Sequence, residues 1–94
     1  MSRHLRNVSL SMFESFLELV HCTQMKGKGG HHKWTRADLN RPIIIQSHID
    51  PVPEFIVRNN LRVLGYSKDD FFDVLESKKQ VQREGEIFTL IIVS

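Results

Sequence analysis

The stretch HHKWTRADLNRPIIIQS, His31 to Ser47, decides the fold. Ile43, Ile44 and Ile45 form a β-branched run, and Pro42 to Ser47 is the clearest strand in the chain. His31 to Thr35 alternates well enough in polarity to be a second strand, and Ala37 to Asn40 has the composition of a turn. Elements joined by so short a connection favour antiparallel pairing.

Upstream, Cys22 to Met25 can form a short first strand, and Lys26 to Gly30 is too glycine-rich for a helix and reads as a tight turn. Ser11-Met-Phe-Glu14 has the S-x-x-E form of a capping box. It predicts a helix from about Ser11 to Val20 that buries Phe13, Phe16, Leu17 and Val20. Downstream, Asp50 to Glu54 opens a second helix, since proline is tolerated where the first-turn N–H groups have no helical partner. Phe55, Ile56, Val57, Leu61, Val63 and Leu64 give it an apolar face, and Gly65 is a natural residue just past its end. Ser67 to Asp70 caps a third helix, with Phe71, Phe72, Val74 and Leu75 inside and Lys78 and Lys79 at its C-terminus.

The expected order is α-β-β-β-α-α, an α+β domain with helices packed on one face of a small antiparallel sheet. Gln80 to Glu86 reads as a polar, charged linker, and Ile87 to Ser94 as a further strand. The chain is thereby divided into residues 1–79 as the domain and 80–94 as linker and C-terminal strand. An apolar terminal strand must be paired. It is either a fourth strand on the protein's own sheet or an edge that joins another chain, a second copy included.

The 94 residues suit one domain with a modest core. No apolar run is long enough to span a membrane. Phe13 to Val20 contains Glu14 and Glu18 and is a poor signal-peptide core, so the expected location is cytoplasmic. Cys22, the single cysteine, has no partner for an internal disulfide and is expected to be buried and inert. Net charge is only +2, but its distribution is uneven. Residues 22–48 hold Lys26, Lys28, Lys33, Arg36 and Arg41 against Asp38 alone, whereas acids dominate residues 69–86. Such a split suits a polyanion meeting one side, or else a merely solvated surface.

The basic segment KGKGGHHKWTR, Lys26 to Arg36, contains the candidate chemistry. Adjacent strand residues point to opposite faces, so His31 and His32 would not converge on one metal ion, and neither C-x-x-C nor H-E-x-x-H is present. No metal or cofactor is expected. The glycines lack the spacing of a nucleotide-binding loop. RNA cleavage asks for less, because RNA carries its own nucleophile, the 2′-OH. A histidine can move the proton, and nearby cations can stabilise the charge developing on phosphate. His31 or His32, set among Lys28, Lys33 and Arg36, has these parts, with Trp34 either a stacking platform for a base or an anchor of the sheet.

Gly29-Gly30-His31-His32-Lys33-Trp34 resembles the G-S-H-x-x-aromatic signature of HicA toxins. It follows a helix and a first strand, as in that family. The strand ending at Gln46-Ser47-His48 resembles the family's third strand, and PVPEFIVRNNLRVLGYSKDDFFDVLE, Pro51 to Glu76, resembles its second and third helices. The resemblance runs from about Leu10 to Lys78. It implies a double-stranded-RNA-binding-domain-like fold and a metal-independent mRNA interferase of a type II toxin–antitoxin pair. A HicB-like antitoxin would be its partner, covering the active histidine. The family's catalytic histidine maps onto His31, its variable next position onto His32 and its aromatic onto Trp34. RNA contacts are expected from Lys28, Gly29, Gly30, His32, Lys33, Trp34 and Arg36. Gly30 departs from the family's serine, Asp50 to Glu54 from its basic helix entry, and the tail from Gln80 onward lies outside it. Two other functions fit the same residues: a non-catalytic RNA-binding module, and a protein that recruits a partner through its C-terminal strand.

Overall fold

A computed structural model describes residues 3–25 and 29–93. It is an α+β domain in the order α1 (Leu10–Leu19), β1 (Thr23–Met25), β2 (His31–Thr35), β3 (Ile43–Gln46), α2 (Glu54–Leu64), α3 (Lys68–Leu75), β4 (Lys79–Glu84) and β5 (Ile87–Ile92). β1, β2 and β3 form one antiparallel sheet in chain order, and β4 and β5 form a separate antiparallel pair. No helix in the described residues is long and apolar enough to cross a membrane.

The triple isoleucine shows why the sheet forms. Ile43 and Ile45 are buried at 2% exposure while Ile44 between them is 48% exposed, the alternation of a strand with one covered face. Trp34 joins Ile43 and Ile45 in a core with Phe13, Phe16 and Leu17 of α1, Val57 and Leu61 of α2, and Phe71 and Val74 of α3. The aromatic centre is tight: the rings of Phe16 and Phe71 lie 4.8 Å apart, and those of Phe13 and Phe71 6.2 Å apart. All four residues expected on the buried face of α1 are fully buried.

The cap of α1 differs from the expected one. Ser9, not Ser11, is the N-cap, and its hydroxyl accepts the Met12 N–H at 3.0 Å. Asp50 Oδ1 accepts the Leu10 N–H at 2.9 Å from across the molecule. Glu14 is thus released from capping. In α3 the expected cap holds: Ser67 Oγ accepts from Asp70 N and the Asp70 carboxylate accepts from Ser67 N, a complete capping box. Gly65 ends α2 in the left-handed conformation, φ 84°.

The tail is also different. Residues 80–84, expected as linker, belong to β4 and pair with β5 from Lys79↔Ile92 to Glu84↔Ile87. Their alternation places Val81 inward, where it is buried, and leaves Gln80 and Gln82 exposed. The hairpin is fastened to the domain. His21 Nε2 donates to the Val81 carbonyl at 2.6 Å, and Lys79 Nζ bonds Asp70 at 2.7 Å and Asp73 at 3.3 Å. The pair of helix acids and one lysine explains why the carboxyls of Asp70 and Asp73 are held below the usual carboxylate range. For Asp70, burial is the largest single influence and opposes this, and the hydrogen bonds from Lys79 and Ser67 with the Lys79 charge together outweigh it; for Asp73, the Arg3 hydrogen bond leads.

Candidate active site

β2 sorts the histidine-rich segment onto two faces. His31 and Lys33 lie on the open face and are exposed; His32 and Trp34 lie on the helix-covered face. Antiparallel pairing sets His31 opposite Gln46, and Lys33 between Ile44 on one side and Met25 on the other. The open face therefore presents an imidazole, an ammonium and an amide within two rungs of the ladder.

Beside this face lies a cleft of about 250 Å³ between the β3 edge and the entry to α2. His31 and Gln46 stand at it, and Ile44, Ile49, Pro53 and Phe55 are among its apolar lining. Phe55 was expected on the buried face of α2 but is 64% exposed. The helix turns Val57, Leu61 and Leu64 inward, which leaves Phe55 and Val63 outside. Phe55 is the exposed aromatic of the site, and the α2 periodicity, read from Val57 rather than from Phe55, is the signal that locates it.

His32 and Trp34 are engaged elsewhere. One oxygen of Glu14 on α1 meets the indole Nε1 of Trp34 at 3.1 Å and Nδ1 of His32 at 2.8 Å. An indole nitrogen only donates, so Glu14 is the acceptor, and Nδ1 carries the hydrogen of the second bond. Trp34 is 2% exposed and offers no face to a base; it anchors the sheet on the helices. Of the two roles open to it, the structural one holds.

Arg36, expected at phosphate, is inside the domain at 5% exposure. Its Nε and Nη2 donate to the two carboxylate oxygens of Asp38 at 2.7 and 2.8 Å, and Nη1 donates to the Val20 carbonyl at 2.9 Å and the Tyr66 hydroxyl at 2.8 Å. Its guanidinium lies 4.3 Å from the centre of the Phe88 ring of β5. Burial opposes the charge, but the bonds to Asp38 and Tyr66 outweigh it, so the guanidinium pKa is raised and the Asp38 carboxyl is held low. Four of its five N–H donors are taken inside the domain, and burial withdraws the guanidinium from a surface that RNA could reach.

Lys28 lies outside the described residues. Gly29 has φ 72°, a left-handed conformation that favours glycine. The Gly30 carbonyl accepts the Ser47 N–H at 2.7 Å, which closes the β2–β3 ladder just before His31. Cys22 is buried, and burial pushes its thiol up to about 11, so it is no thiolate nucleophile near neutrality. Among the expected residues, the geometry brings together Gly29, Gly30, His31 and Lys33, and sets apart His32, Trp34 and Arg36. No protein-family model, curated protein or solved structure matches the chain.

Proposed function

We propose that this protein is a metal-independent endoribonuclease of the HicA toxin type, an mRNA interferase, with its α-β-β-β-α-α core taken as double-stranded-RNA-binding-domain-like. The observation that carries the reading is His31. It is exposed on the open face of β2, beside Lys33 and Gln46 and at a cleft wide enough to hold part of a nucleotide. Neutral His31 takes the 2′-OH proton, the 2′-oxygen attacks the adjacent phosphorus, and the bond to the 5′-oxygen breaks. Among the described residues of the basic segment, Lys33 is the cation available to the phosphate. The products are a 2′,3′-cyclic phosphate and a 5′-hydroxyl.

A HicB-like antitoxin is the proposed partner. Ile44, Ile49 and Phe55 are 48, 37 and 64% exposed around the cleft, an apolar patch that a protein partner would bury together with His31. A second reading, recruitment of a partner by strand addition, is favoured by β5, whose Ile87 and Ile92 are 68 and 79% exposed.

The test is RNA cleavage in EDTA by wild type and His31→Ala, with both shown to be folded by circular dichroism. Cleavage to cyclic-phosphate ends that disappears in the variant is the expected result. Ends bearing 5′-phosphate, or equal cleavage by both proteins, would defeat the reading.

A further inference from the structure

The N-terminal segment, α2 and the start of α3 meet in a second surface, at a different face of α2 from the cleft. Leu5 is buried at 2% exposure, and Val52 N donates to Val8 O at 2.8 Å, so the chain from Leu5 to Val8 is held against the domain. Arg3 is tied down as well: its Nη2 meets Asp73 at 2.8 Å and Glu76 at 3.2 Å. His4 and Arg6 are left exposed. On α2, Val57, Leu61 and Leu64 face the core, which places Arg58 and Arg62, one turn apart, on the exposed side. Lys68 opens α3 and is exposed too.

Two adjoining hollows result. One, of about 330 Å³, is lined by Arg3, His4, Arg6, Glu54, Arg58 and Lys68. The other, of about 260 Å³, adds Arg62 and shares Arg58 and Lys68. Arg3 is neutralised by Asp69, Asp73 and Glu76, which line neither hollow. That leaves Arg6, Arg58, Arg62 and Lys68 facing Glu54 alone. Arg58 uses Nε and Nη2 on Glu54, both at 2.9 Å. Arg6, Arg62 and Lys68 have no carboxylate within ion-pair distance among the described residues. Glu54 and Arg58 line the hollow, while Pro53, Phe55 and Ile56 line the cleft at His31. The first turn of α2 is therefore the ridge between cleft and hollow, about 10 Å across.

We propose that this surface binds the phosphates of a single RNA strand that runs on from the cleft over the first turn of α2, with Arg6, Arg62 and Lys68 as the contacts and Glu54 as the group that restrains Arg58. The proposal takes from the ribonuclease reading only that RNA is the ligand, and its test does not require cleavage. Arg6 lines one hollow and Arg62 the other, so the cations form a row rather than a cage. A row suits a repeating charge better than one small anion. Contacts of this kind position a strand without reading its sequence. Arg36, the cation that the sequence alone placed at phosphate, is withdrawn into the domain, and this surface supplies exposed cations in its stead.

The probe is a fluorescein-labelled 2′-O-methyl RNA dodecamer, which lacks the nucleophile for cleavage, followed by anisotropy in EDTA from about 0.05 to 0.5 M salt. The triple variant Arg6→Gln, Arg62→Gln, Lys68→Gln is expected to lower the slope of log affinity against log salt by about 2, three single-strand phosphate contacts, and to bind about 100-fold more weakly at about 0.1 M salt. Glu54→Gln frees Arg58 and removes a repelling charge, and should bind about 3-fold tighter. A control triple, Arg41→Gln, Lys78→Gln, Arg83→Gln, removes as many exposed cations from outside both hollows and should stay within a few-fold of wild type. Circular dichroism checks that every variant is folded. Equal loss in the two triples would reduce the effect to net charge, and an unchanged slope in the first would leave its cations merely solvated. A trinucleotide that binds as tightly as the dodecamer would make the surface a small-anion hollow. Each of these overturns the proposal while cleavage at His31 stands. Binding that depends on the three cations, with no cleavage of ordinary RNA by wild type, would remove the ribonuclease reading and leave this surface in place.

Discussion

Glu14 of α1 accepts the indole N–H of Trp34 at 3.1 Å, so a single helix carboxylate fixes the central strand of the sheet by its largest side chain. The same oxygen holds His32, which leaves His31 alone on the opposite face. Glu14→Ala would leave a buried indole N–H without its acceptor. The expected cost is about 1–3 kcal/mol, read as a fall in melting temperature of about 4–8 °C per kcal/mol for a domain of this size. Glu14→Gln, which keeps one acceptor oxygen, should lose less. An unchanged melting temperature in Glu14→Ala would show that the indole does not depend on this bond.

Arg36 and Lys33 are two basic residues of one segment with opposite predicted phenotypes. Arg36→Met removes the partner of Asp38, the Val20 carbonyl and the Tyr66 hydroxyl, and the cation over Phe88. Breaking a fully buried pair costs about 3–5 kcal/mol. Asp38 is partly solvated, so about 2–3 kcal/mol is expected, seen in urea unfolding. Lys33→Ala should leave stability within about 0.5 kcal/mol. It should weaken RNA binding and lower the slope of log affinity against log salt by about 0.7, one single-strand phosphate contact. A stable Arg36→Met that loses RNA affinity would reverse the two assignments.

The contrast marks where the sequence could be read. The β-branched run at Ile43 to Ile45, the glycine after α2 and the Ser67–Asp70 cap are local signals, and each element they announce is present. What a side chain bonds to across the fold is not local. Arg36 looked like a surface cation because its partners lie 2, 16, 30 and 52 residues away, at Asp38, Val20, Tyr66 and Phe88. Glu14 satisfied a capping motif by spacing, but Ser9 took the cap and Glu14 served β2. β4 was hidden because only Val81 of its six residues is buried, so the strand carries one apolar signal among Lys79, Gln80, Gln82, Arg83 and Glu84. The place of His48 depends on a contact with Gly30, and a glycine announces only that something is close, not what.

The C-terminal hairpin should prove to be part of the domain. Phe88 lies against Arg36 at 4.3 Å and near His21 at 6.1 Å, and Val81 is buried at 5% exposure. Phe88→Ala is expected to cost about 2 kcal/mol, below the range for a fully buried phenylalanine because the ring is only half-buried. A chain ending at Lys78 loses Val81, Phe88 and the Lys79 bonds to Asp70 and Asp73, and should melt at least 10 °C lower. Equal melting temperatures for the full and shortened chains would restore residues 80–94 to the status of an appended tail.

Cys22 gives the domain an alkaline limit. Its thiol ordinarily ionises near 9.0, and burial raises this to about 11 in the folded state. The neutral form is the one that folds. Its contribution is fully present below pH 9, falls as pH rises from 9 to 11, and is gone above the folded value. Two units correspond to about 2–3 kcal/mol. Urea unfolding of wild type and Cys22→Ala from pH 7.5 to 11 reads the effect, because the Tyr66 hydroxyl is raised first by its own burial in both proteins and Cys22 is the smallest of its influences. The variant should be the less stable protein near neutrality, through lost packing, and the gap should narrow as pH passes 9. A gap constant to pH 11 would mean that the thiol ionises alike in both states, and that Cys22 is reachable by water in a way its 6% exposure does not allow.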